Sequence, residues 1–452
     1  MRLFILPRAL HPGLLAALLL LGGCARTMIP TPYVMYGEAG KAVYRETPAA
    51  LQTPDIPVIY VTDRAVARTD EHGPRYGHKR DLDLSYGVAT VSLGENVDWP
   101  TLVEDSTRGH RSRSYHPEVT QVEERGRFGN TLEAYEAFEN RLRVKAGAIE
   151  TYHEQIAGLH TLIDEWLART DRKEIVVFVH GFNNQFDDAV VRLAQCWHLA
   201  GRAGVPIVYS WPAGYGGLMG YAYDRESGEY TIVHLKLLLL ALAQHPGVEK
   251  IHLVAHSRGT DVATTAVREL HAEVRGALHT SMVGGMLGEP AADAPYTFEV
   301  LKLETLVLAA PDMDLDVFNQ RFFGENLLRA ANRVVVYFSD HDKAIGAADW
   351  LFKSRQRLGS MRLSDFKPAS QVLLEAAPSI EAINCQTTGS STHAYLAEHP
   401  AALSDLIVLL RTDAPAGDPR RPLIHPIKGV WQLDNDYYKP EDLESENIHL
   451  YR

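Results

Sequence analysis

The chain holds few cysteines, three in 452 residues: Cys24, Cys196 and Cys385. Their spacing matches no metal-ligand pattern, which excludes cysteine-held metal centres. Cys196 and Cys385 read as two buried free thiols, although an oxidising compartment would permit them to pair. Positive charge is also in short supply. The formal net charge is −12, and loss of Arg2 and Arg8 with a leader takes it near −14. That balance excludes a broad nucleic-acid surface and favours solubility. Long apolar runs are missing beyond the first two dozen residues. Residues 232–243 are strongly apolar but broken by His234 and Lys236. They are too short to span a bilayer and predict a buried helix. No internal repeat is visible. With 46% hydrophobic and 23% charged residues, the chain is long enough for one large α/β domain or two smaller ones.

What is present centres on residues 251–260, Ile-His-Leu-Val-Ala-His-Ser-Arg-Gly-Thr. An apolar run leads into Ser257, and helical spacing follows over residues 262–270. This is strand, sharp turn, helix: a G-x-S-x-G elbow with Ala255 in place of its first glycine. A serine so held stands above the sheet edge, beside the unpaired N–H groups of a helix start. Chemistry that builds negative charge on a carbonyl oxygen needs that arrangement. A plain capping serine is the competing reading, and the segments around it decide between the two.

The start of the chain has its own logic. Residues 1–23 carry a basic beginning and an apolar core over 14–21, and read as a secretory signal peptide. They end Leu21-Gly22-Gly23-Cys24, which resembles a bacterial lipobox with Cys24 as the lipid-attachment site. An ordinary secretory signal with an incidental cysteine is the alternative. The mature chain is then anchored to a membrane without spanning it. Ala25 after the cysteine favours the outer membrane, facing the periplasm, if the cell has one. Residues 24–55 read as a lipidated tether, 56–412 as the folded domain and 413–452 as a polar tail, either an ordered cover or a disordered extension.

Strands are predicted at 56–62, 84–92, 174–179, 206–210, 251–255, 303–310 and 333–338. Residues 105–124 carry no clear signal. Helices are predicted over 132–167, as one or two, over 186–200, and in the apolar segment 232–243. Residues 213–230 read as a Gly- and Tyr-rich loop, and 276–295 as a flap or a disordered surface loop. This alternation predicts an α/β-hydrolase fold, a mostly parallel sheet with helices on both faces. Catalytic groups then belong at the carboxyl ends of its strands. Strand 174–179 runs into His180-Gly181-Phe182-Asn183, so the N–H of Phe182 is the first oxyanion donor and that of Arg258 the second.

Chain order in this architecture is Ser, acid, His. Asp340 and Asp342 follow the second strand after the elbow, and Asp342 is preferred. Asp340 reads as a helix cap, and Asp312, one strand earlier, is the runner-up. His393, on the polar loop Gly389-Ser390-Ser391-Thr392, is the base. His399, His425 and His449 are its rivals, while His256 lies inside the elbow and His341 precedes the acid.

Taken together, several motifs resemble a bacterial α/β-hydrolase family of unknown function. They are Thr62-Asp63-Arg64, His180-Gly181-Phe182-Asn183, Ser210-Trp211-Pro212 and residues 223–227, Tyr-Asp-Arg-Glu-Ser. Ala255-His256-Ser257-Arg258-Gly259, Ala309-Ala310-Pro311-Asp312 and Asp342-Lys343-Ala344 complete the set. The resemblance covers roughly residues 57–410 and also favours Asp342 as the acid. Residues 276–295 and the tail after Thr412 depart from it. The expectation is a membrane-tethered serine hydrolase, carboxylesterase- or lipase-like, that cleaves a small-molecule or lipid ester. It implies neither metal nor organic cofactor and no nucleic-acid partner, and leaves the oligomeric state open. The competing expectation is a non-catalytic envelope binding or scaffold protein on the same fold.

Overall fold

Thirteen strands build the molecule in a computed structural model that describes residues 27–217, 219–278, 296–342, 345, 356–387 and 393–438. The first five are β1 (Ile56–Asp70), β2 (Gly73–Ser92), β3 (Glu118–Phe128), β4 (Tyr135–Phe138) and β5 (Arg141–Val144). Next come β6 (Glu174–Val179), β7 (Val205–Ser210), β8 (Lys250–His256) and β9 (Leu303–Ala309). The last are β10 (Arg333–Phe338), β11 (Ile380–Gln386), β12 (Ile424–Ile427) and β13 (Val430–Asp434). Eleven of them form one sheet in the order β12-β13-β11-β10-β9-β8-β6-β7-β1-β2-β3. From β13 through β1 every pairing is parallel, and antiparallel partners close the two edges. Helices cover both faces, so the fold is α/β with a mixed, mostly parallel sheet.

The central strands are where they are because they are apolar on both faces. In β8, Ile251, Leu253, Val254 and Ala255 are all buried, and β7 is buried from end to end. Only strands covered on both sides can carry such runs without exposing them. The crossings from β6 to β7 and β7 to β8 run through the helices Phe186–Leu199 and Gly220–Gln244. The carboxyl ends of β6, β8 and β10 therefore open on one rim of the sheet.

Several segments differ from their sequence-based expectation. Residues 132–167 were expected to form one or two helices, but the α-helix is Ala148–Leu167. Before it, β4 and β5 make a two-stranded hairpin. Glu139 and Asn140 at its turn both take left-handed backbone (φ 46° and 61°), which suits a two-residue hairpin turn. Leu132, Tyr135, Phe138 and Leu142 have helical spacing, yet all are exposed, so no buried face rewards a helix there.

The expected loop 213–230 is half helix. One 25-residue helix, Gly220–Gln244, absorbs both its end and the apolar segment after it. Residues 27–55, expected as a tether, are packed against the body. Met28, Ile29, Val34, Met35, Val43, Tyr44 and Leu51 are buried, and Gly37–Arg45 is helical. The Tyr44 hydroxyl donates to the carbonyl of His198 at 3.1 Å, and Gln195 accepts from the Ile29 N–H at 2.7 Å. Residues 413–438 are also ordered and supply the edge strand β12 and its neighbour β13. The strand β11 had no expectation. Its buried Glu381 and Asn384 break the apolar pattern that marks the others.

Cys196 and Cys385 are both free thiols. Residues 1–26, which include the expected leader and Cys24, lie outside the described residues, as do 279–295 of the expected flap. No described helix is long and apolar enough to cross a membrane.

Candidate active site

At the end of β8 the backbone turns sharply, and Ser257 is held at φ 54°, in the left-handed region that L-residues rarely adopt. The helix Gly259–Leu278 begins two residues later. The turn is pinned by the Ser257 N–H donating to the carbonyl of Ala309 at 2.9 Å. The Thr260 hydroxyl returns to the Ser257 carbonyl at 2.7 Å. Glycine is obligatory at 259, because a Cβ there would lie 2.3 Å from the carbonyl oxygen of His180 and 2.7 Å from that of Val179. Ala255, in the place of the first elbow glycine, is fully buried and accommodated.

Ser257, Asp342 and His393 come from three separate elements and meet. Asp342 stands in the turn after β10, and His393 just before the short helix Tyr395–Glu398. His393 Nε2 lies 2.8 Å from Ser257 Oγ, and its Nδ1 lies 2.8 Å from Asp342 Oδ2. In the neutral tautomer that fits both contacts, Nδ1–H donates to the carboxylate and Nε2 accepts from the serine hydroxyl. The second oxygen of Asp342 accepts the N–H of Ile345 at 3.1 Å, which fixes the carboxylate plane. Burial opposes a charge on His393, but Asp342, by its charge and its hydrogen bond, outweighs it with help from Asp312 and Glu398. The imidazole is therefore raised above its ordinary value of 6.5.

Nearby groups hold His393 in place. His256 Nε2 lies 3.2 Å from the His393 carbonyl. Burial and the neighbouring His393 push His256 down to about 3, so it is neutral and donates there. The Tyr395 hydroxyl donates to the Tyr337 carbonyl at 2.9 Å.

The other candidates are occupied elsewhere. Asp340 accepts from Gln386 at 2.8 Å. Asp312 accepts from the Tyr221 hydroxyl at 3.0 Å and faces Arg357 at 2.9 Å. His399 caps the helix Pro400–Thr412 by accepting the Ala401 N–H at 3.2 Å. His425 stacks on Trp431, and His449 lies outside the described residues.

Opposite the serine runs the loop after β6. A Cβ on Gly181 would come within 2.8 Å of the Ser257 Cβ, so only glycine lets this backbone pass so close. Phe182 is the next residue in the chain after this point of close approach. Neither its N–H nor that of Arg258 has a hydrogen-bond acceptor among the described residues. Free backbone donors next to Gly181 and next to Ser257 are the kind of group that can bind an oxyanion.

The loop is clamped from beneath by Arg64, which is almost wholly buried. Its Nε donates to Ser210 Oγ at 2.9 Å, and one terminal nitrogen to the carbonyls of Gly77 and Ala213 at 3.0 and 2.7 Å. The other reaches the Asn184 carbonyl at 2.8 Å and His180 Nε2 at 3.2 Å. Burial and the Arg64 charge hold His180 well below the ordinary histidine value, so it is neutral and accepts that bond. Trp211 stacks on His180, its ring 5.1 Å away, and donates to the His180 carbonyl at 2.7 Å. Asp224 accepts the Asn183 N–H at 2.8 Å.

Sequence reasoning had the residues of this clamp as separate motifs and missed their joint work. The signal was there, in an arginine standing just past the apolar run of β1, behind Thr62 and Asp63. Among the described residues, no group of three or more His, Cys, Asp or Glu side chains is placed to hold a metal ion.

A family model described as alpha/beta hydrolase of unknown function (DUF900) matches residues 156–411, more than half of the chain. The match takes in the Gly181 loop, the Ser257 elbow, Asp342 and His393. No curated protein matches the chain.

Proposed function

The chain belongs to this family of alpha/beta hydrolases of unknown function, and from that premise we propose that it is a serine hydrolase cleaving carboxylic esters. The observation that carries the reading is His393 standing 2.8 Å from both Ser257 Oγ and Asp342 Oδ2. As Ser257 Oγ bonds to the ester carbonyl carbon, His393 Nε2 takes its proton, and Asp342 stabilises the imidazolium. The carbonyl electrons move onto the oxygen, which the N–H groups of Phe182 and Arg258 receive. Collapse of that intermediate breaks the bond to the alcohol, which leaves with the proton from His393. Water then attacks the acyl-serine, giving its proton to the same nitrogen, and the acid departs as Ser257 is reprotonated. Ester and water become acid and alcohol, with no cofactor consumed.

The same reading places the protein in the cell envelope, lipid-anchored through Cys24 and facing the periplasm from the outer membrane. Support for this comes from Arg2 and Arg8, the apolar core of residues 14–21 and the Leu21-Gly22-Gly23-Cys24 ending.

A fluorophosphonate probe tests the chemistry. Wild type is expected to label at Ser257, with labelling lost in Ser257→Ala and His393→Ala. Turnover of an activated ester should fall by about 10⁴ or more in each. A folded wild type that neither labels nor turns over would leave a binding protein on a hydrolase fold. Lipidation is tested separately, by incorporation of a fatty-acid analogue that Cys24→Ser abolishes.

A further inference from the structure

A cavity of about 320 Å³ opens beside the elbow. One wall is Arg258, the residue after Ser257. Another is Tyr221, whose ring lies 5.3 Å from that of Phe182. Asp312 forms a third, and its charge reaches His393. Of the eleven described lining residues, eight are Arg, Asp or Glu, leaving Tyr221, Met313 and Val317 to offer apolar surface. An alkyl chain finds little there to replace the water it displaces.

The four acids and four arginines of this lining cancel in formal charge but not in hydrogen-bonding capacity. Asp261 has both oxygens engaged, by Arg258 at 3.0 Å and Arg321 at 2.7 Å. Asp312 accepts the Tyr221 hydroxyl on one oxygen and is ion-paired with Arg357 at 2.9 Å through the other, which makes no hydrogen bond. Asp314 caps the helix Leu315–Asn319 by accepting the N–H groups of Asp316 and Val317. Glu229, exposed on the helix Gly220–Gln244, is the one carboxylate of the lining without a described partner.

The arginines retain donors. A guanidinium has five N–H groups. Arg321 shows one hydrogen bond, and Arg225, one helical turn before Glu229, has none among the described residues. Counted in hydrogen bonds, the unspent capacity of the described lining is therefore mostly donor, on Arg225 and Arg321.

We propose that this cavity is a subsite for an anionic group, a carboxylate or phosphate, on a short ester, held by Arg225 and Arg321. This rests on the hydrolase reading and narrows its substrate class from esters in general to short, hydrophilic, negatively charged ones. A long-chain acyl ester is the substrate class it rejects.

Matched pairs of esters test it, on the acyl side 4-nitrophenyl hemiglutarate against 4-nitrophenyl pentanoate, on the alcohol side the acetate of 4-hydroxybenzoate against phenyl acetate. The expected result is a kcat/KM ratio of about tenfold or more for the anionic member of one pair, what a charge-assisted hydrogen bond supplies. Which pair responds tells the side of the ester that enters the cavity. Arg225→Gln, at an exposed side chain with no partner among the described residues, should move that ratio toward one, and adding Arg321→Gln should move it further. A ratio near one in both pairs, a ratio untouched by the variants, or faster hydrolysis of 4-nitrophenyl octanoate overturns the proposal.

Calorimetric titration of glutarate into Ser257→Ala protein separates this from the chemistry. Binding that Arg225→Gln weakens, in a protein whose wild type turns over no ester, sinks the hydrolase reading and keeps the subsite. No binding of glutarate and no preference for either anionic ester sinks the subsite alone.

Discussion

His393 carries two opposed influences, and their balance sets a pH dependence. The base must be neutral to accept the serine proton. Because its folded value lies above 6.5, kcat/KM should rise with pH and level off only past a midpoint above that value. In Asp342→Asn the acceptor for Nδ1–H and its charge are gone, so burial dominates and the midpoint should move down. The rate should fall by about 10⁴, because the amide no longer enforces the productive tautomer. A pH–rate profile of the two proteins reads both effects. Ser257 was legible in sequence because a strained elbow demands a fixed run of small neighbours. His393 was legible only by chain order and loop polarity, and its hold by His256 was not, since that contact joins residues 137 apart in sequence.

The loop after β6 shows what a single element depends on. Five N–H groups of Arg64 meet five acceptors drawn from β2, β7 and the segment after it, and the residues that flank the Phe182 turn. Lysine offers three donors on a flexible stem, so Arg64→Lys strands at least two buried acceptors. It should cost about 2 kcal/mol or more in urea unfolding and lower kcat/KM through a loosened oxyanion loop. Gly259→Ala drives a methyl into the His180 carbonyl of that same loop. It should destabilise by about 1–3 kcal/mol, and fluorophosphonate labelling should slow.

The buried parallel strands were legible because two-sided burial writes a continuous apolar run. The helix Gly220–Gln244 was half hidden, because Asp224 and Ser227 are buried polar groups on its early turns. Their hydrogen bonds to the Asn183 N–H and to Arg80 appear only when distant segments meet.

Across the whole molecule, the two ends of the described chain lock onto the sheet. Arg421 is fully buried and grips both oxygens of Asp405 at 2.9 Å and Glu381 at 2.7 Å. The hydroxyls of Tyr337 and Tyr437 complete the cage around Asp405, at 2.6 and 2.5 Å. Burial alone would raise Asp405, but Arg421 and these bonds hold it below its ordinary 3.8. A depressed carboxylate adds stability that is present above its unfolded value and lost as pH falls through the folded one. Unfolding by acid should therefore set in below about pH 4. Arg421→Met removes the cation that compensates the buried Asp405 and leaves it only the two tyrosine hydroxyls. It should cost about 3–5 kcal/mol and show in a urea titration at neutral pH. Nothing in the polar composition of residues 413–452 announced this cage, because its members lie on four separate segments.

At the other end, ordered packing begins by Met28, only four residues after Cys24. Four extended residues reach about 14 Å at most. A lipid on Cys24 would thus act as a short leash, with the globule riding close against the bilayer. Its rim would sweep a thin layer of fluid above the lipid headgroups and leave the wider compartment unsearched. Ten Gly/Ser residues spliced in before Met28 would lengthen that leash, and the range of esters hydrolysed in intact cells would report the depth of the layer.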